Sequence, residues 1–317
     1  MKKVFLYKVF VFILPLFIGV FGIELCARSI PNTFTYKRQW MEDHKDSIET
    51  LILGSSHMFS AIEPSLLRNA FNLANSAQNL EIDSWLLSEY IEKCPNLKNV
   101  LVNIDNMNMF MLDYESSDKI WNRAIYYNLY FDYPKHGIFS RYHYEVSCPK
   151  LLCHKVEKYI TSKFRHELYG IDCDSLGRGV CYGIERQKIR DLEEKSLMGI
   201  GEKESTMPIN TRITRMNTNS AYLNKMVEIC KYSHIRLILV SPPYWWLYNK
   251  YANREKIECV EDIAKKLELN SNSYIEYGNF RDDVRICYDK DYFVDHHHLS
   301  DEGSRKFTTI LKDTYDL

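Results

Sequence analysis

The sequence predicts an α/β protein, a three-layer sandwich around a central parallel sheet, preceded by one transmembrane helix. Two observations predict the sheet. Short apolar runs alternate with segments of helical periodicity, the pattern of parallel strands covered on both faces. Two of those runs stop at turn-formers, Gly54 after the first and Ser241-Pro242-Pro243 after the last. A third observation predicts the membrane helix: an apolar segment stands behind two lysines at the N-terminus.

Taken in order, Glu49 to Leu53 reads as the first buried strand, and Pro64 opens a short helix through Arg68. Ala70 to Ala74 reads as a second strand. Asn79 to Cys94 carries Ile82, Trp85, Leu86 and Tyr90 at helical spacing, and Pro95 stops it. Val100 to Ile104 is the third strand and Ile235 to Val240 the fourth. Asn217 to Tyr232 and Arg254 to Leu269 read as helices. Ser300 to Thr314 is a closing helix with Ser300 as its cap and Gly303 in its first turn. Residues from about 106 to 215 lack clear periodicity and read as a long insertion over the carboxyl edge of the sheet.

The chain has 317 residues, 45% hydrophobic and 26% charged, which suits one sizeable α/β domain with insertions or two small domains. Its 41 Lys and Arg against 42 Asp and Glu leave no electrostatic footprint for nucleic acid. The 23 tyrosines read first as a Tyr-rich surface of the fold, and second as a glycan-facing one. Of the nine cysteines, Cys148 with Cys153 and Cys173 with Cys181 are the local candidates for pairing in an exported domain. No CxxC pair exists, so a zinc ribbon is not expected.

Val4 to Ile23 spans 20 residues, about the length of a bilayer-crossing helix. No small-x-small cleavage site follows it, and Cys26 sits in Glu-Leu-Cys, without the small residue of a lipoprotein signal. The segment therefore reads as an uncleaved signal anchor. Lys2, Lys3 and Lys8 place its N-terminus inside. The expected organisation is residues 1–30 as cytoplasmic N-terminus and anchor, and 31–317 as one domain outside. Residues 24 to 47 read as a stalk.

Two short segments carry chemistry. Leu53-Gly54-Ser55-Ser56-His57 ends the first strand, where ligands sit in an open α/β sheet. A Gly-Ser turn that only caps a helix is the competing reading. Asp295-His296-His297-His298 precedes the last helix, at what reads as a strand end. A carboxylate three residues before an imidazole can bond it and fix its tautomer. Adjacent histidines point in different directions, so a single ion held by all three is not expected, nor is any cofactor.

Thr50-Leu51-Ile52-Leu53-Gly54-Ser55-Ser56 resembles the nucleophile block of GDSL/SGNH hydrolases, a strand ending Gly-Asp-Ser, with Ser55 in place of the Asp. Asn72 to Ala77 is similar to the second block, where a glycine donates an oxyanion-hole amide; Ala77 stands at that glycine. Val100 to Asn108 falls where the Gly-x-Asn-Asp block belongs, but Met107 takes the asparagine's place, between Asn106 and Asn108. Asp295 to His298 resembles the Asp-x-x-His block. The form of the first block, with Ala61-Ile62-Glu63-Pro64 following, further resembles the membrane-anchored cell-envelope branch. That branch includes relatives of the D-alanyl transfer protein and of alginate O-acetylation proteins.

The resemblance implies an SGNH/flavodoxin-like sheet and a serine esterase or O-acyltransferase working on acyl, often acetyl, esters of an envelope glycan. Ser56 would be the nucleophile, or Ser55 if the turn is rotated by one residue. His298 would be the base and Asp295 its orienter. The oxyanion hole would use the amides of Ser56 and Ala77, with Asn106 or Asn108. It implies residence in the bacterial inner membrane, with the domain periplasmic or extracellular, beside polymer-modification proteins. The alternative is an inactive relative that binds glycan or partner proteins.

Overall fold

Residues 2–110, 121–134, 140, 143–165, 171–180, 193–205, 209–271 and 273–317 are described by a computed structural model. The chain divides into two compact units, Met1–Trp40 with Tyr114–Asp172, and Met41–Asp113 with Cys173–Leu317.

The first unit contains α1 (Lys2–Ser29) and α2 (Thr33–His44). Most of the expected stalk is therefore helical. In α1 only 6% of the most apolar window is buried, so it is not a core helix. By length and composition it can cross a membrane, a test that a signal sequence also passes. The end of α1 is fastened by Glu24, which accepts from the Glu145 and Val146 amides at 3.2 and 3.0 Å.

The second unit holds a five-stranded, wholly parallel sheet. Its strands are β1 (Thr50–Leu53), β2 (Ala70–Asn72), β3 (Asn99–Asn103), β4 (Arg236–Ser241) and β5 (Ile275–Asn279), in the spatial order β2-β1-β3-β4-β5. Leu51 and Ile52 of β1, Val100 to Val102 of β3 and Leu237 to Val240 of β4 are buried on both faces. The order reverses between β1 and β3, and in open α/β sheets ligands sit outside the carboxyl ends of the strands at such a switch point. β5 was not anticipated. Ile-Glu-Tyr-Gly-Asn is only partly buried at the sheet edge, so it lacks the continuous apolar run that marks the inner strands.

Helices cover the sheet. The short α3 (Ser56–Ala61) follows β1, and α4 (Leu80–Tyr90) is capped by Asn79, which accepts from the Ile82 amide. The region read as an insertion is divided: α5 (Trp121–Tyr130) and α6 (Pro149–Arg165) belong to the first unit, and α7 (Glu194–Ser205) to the second. Then come α8 (Ile209–Tyr232), beginning before the expected Asn217, and α9 (Trp246–Tyr251). α10 is Arg254–Leu269, and α11 (Asp301–Tyr315) is capped by Ser300, which accepts from Gly303.

Two expectations are corrected. Tyr127, Tyr244 and Tyr248 are among the largest fully buried side chains, so tyrosines build the core as well as the surface. Cys148 and Cys153 are not joined in a disulfide: the first is buried and the second lies exposed on α6. Cys181, proposed to pair with Cys173, lies outside the described residues.

Candidate active site

The site begins with a tight turn after β1. Gly54 has φ +122°, and a Cβ there would lie 2.2 Å from Asn103 Oδ1. Glycine is thus required both by backbone conformation and by the close approach of β3. Ser55 comes next and is buried. Its amide donates to Asn103 Oδ1 at 3.0 Å, and its hydroxyl accepts from Asn103 Nδ2 at 3.2 Å. The same hydroxyl caps α3 through the His57 amide. Ser55 therefore braces the turn, and the histidine loop does not bond it.

Ser56, half-buried at the start of α3, faces that loop. Its Oγ lies 2.8 Å from His298 Nε2, although the two residues are 242 positions apart in the chain. On the other side of the ring, His298 Nδ1 lies 2.8 Å from Asp295 Oδ2. A carboxylate can only accept, so Nδ1 carries the proton and Nε2 is left to take the serine hydroxyl hydrogen. Asp295 Oδ1 also accepts from the His297 and His298 amides at 3.0 and 2.8 Å, which holds the loop around the carboxylate.

The loop does not leave a strand end directly, as its sequence position suggested. It is pinched by an antiparallel bridge between Phe293 and Leu299 and runs into the cap of α11. Burial alone would raise the Asp295 carboxyl, but the neighbouring His297 and His298 hold it well below the usual range. Burial lowers His298 below its ordinary value, against the pull of Asp295, so its free base dominates at neutral pH.

The second loop is strapped to the nucleophile turn. The Asn75 amide donates to the Gly54 carbonyl at 3.1 Å. Asp83 Oδ1, reaching from α4, accepts from the Gly54 amide at 2.8 Å and from Gln78 Nε2 at 2.7 Å. Burial pushes the Asp83 carboxyl up to about 7, against those two hydrogen bonds. Ala77 adopts φ +55°, a left-handed conformation that favours glycine, which is what the resemblance places there.

The two candidate asparagines part company. Asn108 is locked into its own turn: its Oδ1 accepts from the Asp105 amide and its Nδ2 donates to the Asn103 carbonyl. One of the two N–H donors of that amide is thereby taken. Asn106 is buried and accepts from Arg281 Nη1 at 2.7 Å through Oδ1, which leaves its Nδ2 as the disengaged end. Met107, between them, has no polar donor on its side chain.

Several residues around the site were not singled out from sequence. His57 Nδ1 lies 2.9 Å from Asp105 Oδ2 and 3.2 Å from the Tyr244 hydroxyl. Burial would raise Asp105, but His57 holds its carboxyl at about 2. Arg281 lies flat over Tyr244, with Cζ 4.1 Å from the ring centroid. His57 stands beside Ser56 in sequence, a signal that could have found it. Tyr244 is 187 positions from His57, and nothing in its local sequence points to the site.

The three adjacent histidines meet different partners. His298 meets Ser56, His297 sits 5.0 Å ring to ring from His57, and His296 sits 4.8 Å from Tyr248.

No protein-family model and no curated protein matches the chain. Among solved structures it is similar to a Streptococcus pneumonia protein provisionally named a platelet activating factor, at 10% identity and TM-score 0.41, covering 95% of this chain and 97% of that one. It is also similar to a protein of Bacteroides fragilis NCTC 9343 provisionally named an acylhydrolase, at 9% identity and TM-score 0.39, covering 92% and 93%. At these values neither likeness carries an activity to this chain. The α/β architecture stands on the parallel sheet itself.

Proposed function

We propose that this chain is a serine-dependent esterase or O-acyltransferase of the SGNH type, held at a membrane by α1. The observation that carries the reading is the continuous relay from Ser56 Oγ to His298 Nε2 and from His298 Nδ1 to Asp295 Oδ2, with 2.8 Å at each step. His298 takes the proton as Ser56 Oγ attacks an ester carbonyl carbon. Asp295 stabilises the imidazolium that forms. His298 then returns the proton to the departing alcohol, leaving an acyl ester on Ser56. A second alcohol or water, deprotonated by His298, releases the acyl group.

The developing oxyanion would be met by the Ser56 amide, which makes no hydrogen bond within the described residues, and by the Ala77 amide. Asn106 Nδ2 is the remaining side-chain candidate. The chemistry fits acyl esters, acetyl foremost, on a cell-envelope glycan or related polymer. The resemblance to the envelope branch supports that substrate, an extracytoplasmic domain, and work beside polymer-modification proteins. A non-catalytic glycan- or partner-binding protein is the second reading, and the engaged amide of Asn108 favours it.

A fluorophosphonate probe separates the two readings. An enzyme labels at Ser56, and labelling disappears in Ser56→Ala and His298→Ala. Absence of labelling in folded, detergent-solubilised wild type would leave the binding reading standing.

A further inference from the structure

We infer that His57, His297 and His298 form a binding site for a divalent transition-metal ion, Zn2+ in particular, whose occupancy blocks Ser56 chemistry. The three rings come from separate places, His57 from the first turn of α3 and the other two from the loop before α11. Only two of the three are chain neighbours, and their rings approach each other rather than pointing apart. The ring centroids lie 5.0 Å (His57–His297), 5.5 Å (His57–His298) and 4.0 Å (His297–His298) apart. One ligand nitrogen from each falls within 4.8 Å of the others. Tetrahedral zinc with bonds of about 2.0–2.1 Å needs nitrogens about 3.4 Å apart, so the rings must close by about 1 Å.

Two of the three rings already have the carboxylate backing that orients metal-binding histidines. Asp105 holds His57 Nδ1 and Asp295 holds His298 Nδ1, which leaves Nε2 of each ring facing elsewhere. The third ring, His297, is half-buried, and its Nδ1 makes no hydrogen bond among the described residues; Asp295 Oδ1 lies 3.5 Å away.

The ion would exchange hydration waters for three imidazole nitrogens, with no electron transfer. Taking His298 Nε2 displaces Ser56 and removes the acceptor for its proton. The binding half of this inference is independent of the proposed enzymatic function; the blocking half rests on it.

The test uses the full chain in detergent, without a polyhistidine tag. Zn2+ binding is followed by calorimetry, and Co2+ by the visible spectrum that reports tetrahedral nitrogen coordination. His57→Gln and His297→Gln should each weaken Zn2+ binding by about tenfold or more, and His296→Gln should not. Thermal melts of each variant establish that it is folded, and the two variants back each other if one fails. Zn2+ should also suppress fluorophosphonate labelling of Ser56, and EDTA should restore it.

No saturable binding, or binding that survives both His57→Gln and His297→Gln, overturns the site. Loss on His296→Gln with none on His57→Gln places the ion on the Asp295–His296–His297 group and also overturns it. Binding that leaves labelling intact overturns the blocking role. If wild type never labels, the serine-enzyme reading fails, while calorimetry still decides whether the metal site exists.

Discussion

Lys155 and Ser56 each stand in a buried hydrogen-bonded cluster, one in each compact unit, and the two are closed differently. Lys155 Nζ donates to Glu145 Oε1 at 2.6 Å, to the Tyr130 hydroxyl at 2.7 Å and to the Ala27 carbonyl at 2.7 Å. An ammonium has three donors, and all three are used. The Tyr130 hydroxyl donates onward to Glu145. Burial lowers the Lys155 ammonium, and the Glu145 carboxylate opposes that shift. Ser56 is half-buried, and its hydroxyl bonds His298 Nε2 past the carboxyl end of β1, where the sheet order reverses. The saturated ammonium marks the first cluster as a fastening of the fold. The serine hydroxyl set against an imidazole nitrogen is what the proposed acyl chemistry rests on.

The sharpest way to break the comparison is Asp295→Asn. The amide oxygen can still accept from the two loop amides, so the loop stays folded, but the imidazole tautomer is no longer enforced. Turnover of a p-nitrophenyl acetate substrate should fall about 10⁴-fold, with melting temperature near wild type. A fall below tenfold would remove Asp295 from the relay.

Lys155→Met should act on stability instead. It strands Glu145, whose side chain is fully buried, and should cost about 3–5 kcal/mol in denaturant unfolding of the unit that contains it. A loss within experimental error would mean that the fastening is elsewhere.

Gly54→Ala tests the turn itself. Its added carbon meets Asn103 at 2.2 Å in a conformation costing about 1–3 kcal/mol for an ordinary residue. Stability and turnover should fall together, because Asn103 also holds Ser55.

The smallest effect is a pH dependence. The working form of His298 is neutral and its pKa is depressed, so activity persists above that pKa and is lost as pH falls through it. The acid limb of kcat/KM should have its midpoint below the ordinary histidine value of about 6.5 and a slope of about tenfold per pH unit. A midpoint above that value would show that burial does not govern this ring.

Four of the five strands were legible because a strand buried on both faces reads as an uninterrupted apolar run, as in Thr50–Leu53 and Arg236–Ser241. β5 was not legible: as an edge strand it mixes Glu276 and Tyr277 with Ile275. The Asp295–His298 pair could be seen because three residues of spacing is a local geometry. Asp83 could not be singled out, since a lone acid within a helical pattern looks solvated until α4 is packed against the turn. Asn108 looked like a donor and proved to be a turn brace, because its partners are backbone groups of the same short segment.

By itself the sequence determined the α/β class, the apolar N-terminal helix and the chemical types available at the turn and the terminal loop, because local periodicity and side-chain chemistry do not depend on distant neighbours. Tertiary structure decided which serine meets the imidazole. Ser55 and Ser56 carry the same hydroxyl, and only the approach of Asn103 from β3 and of His298 from the far end of the chain sets one to brace the turn and the other against the imidazole.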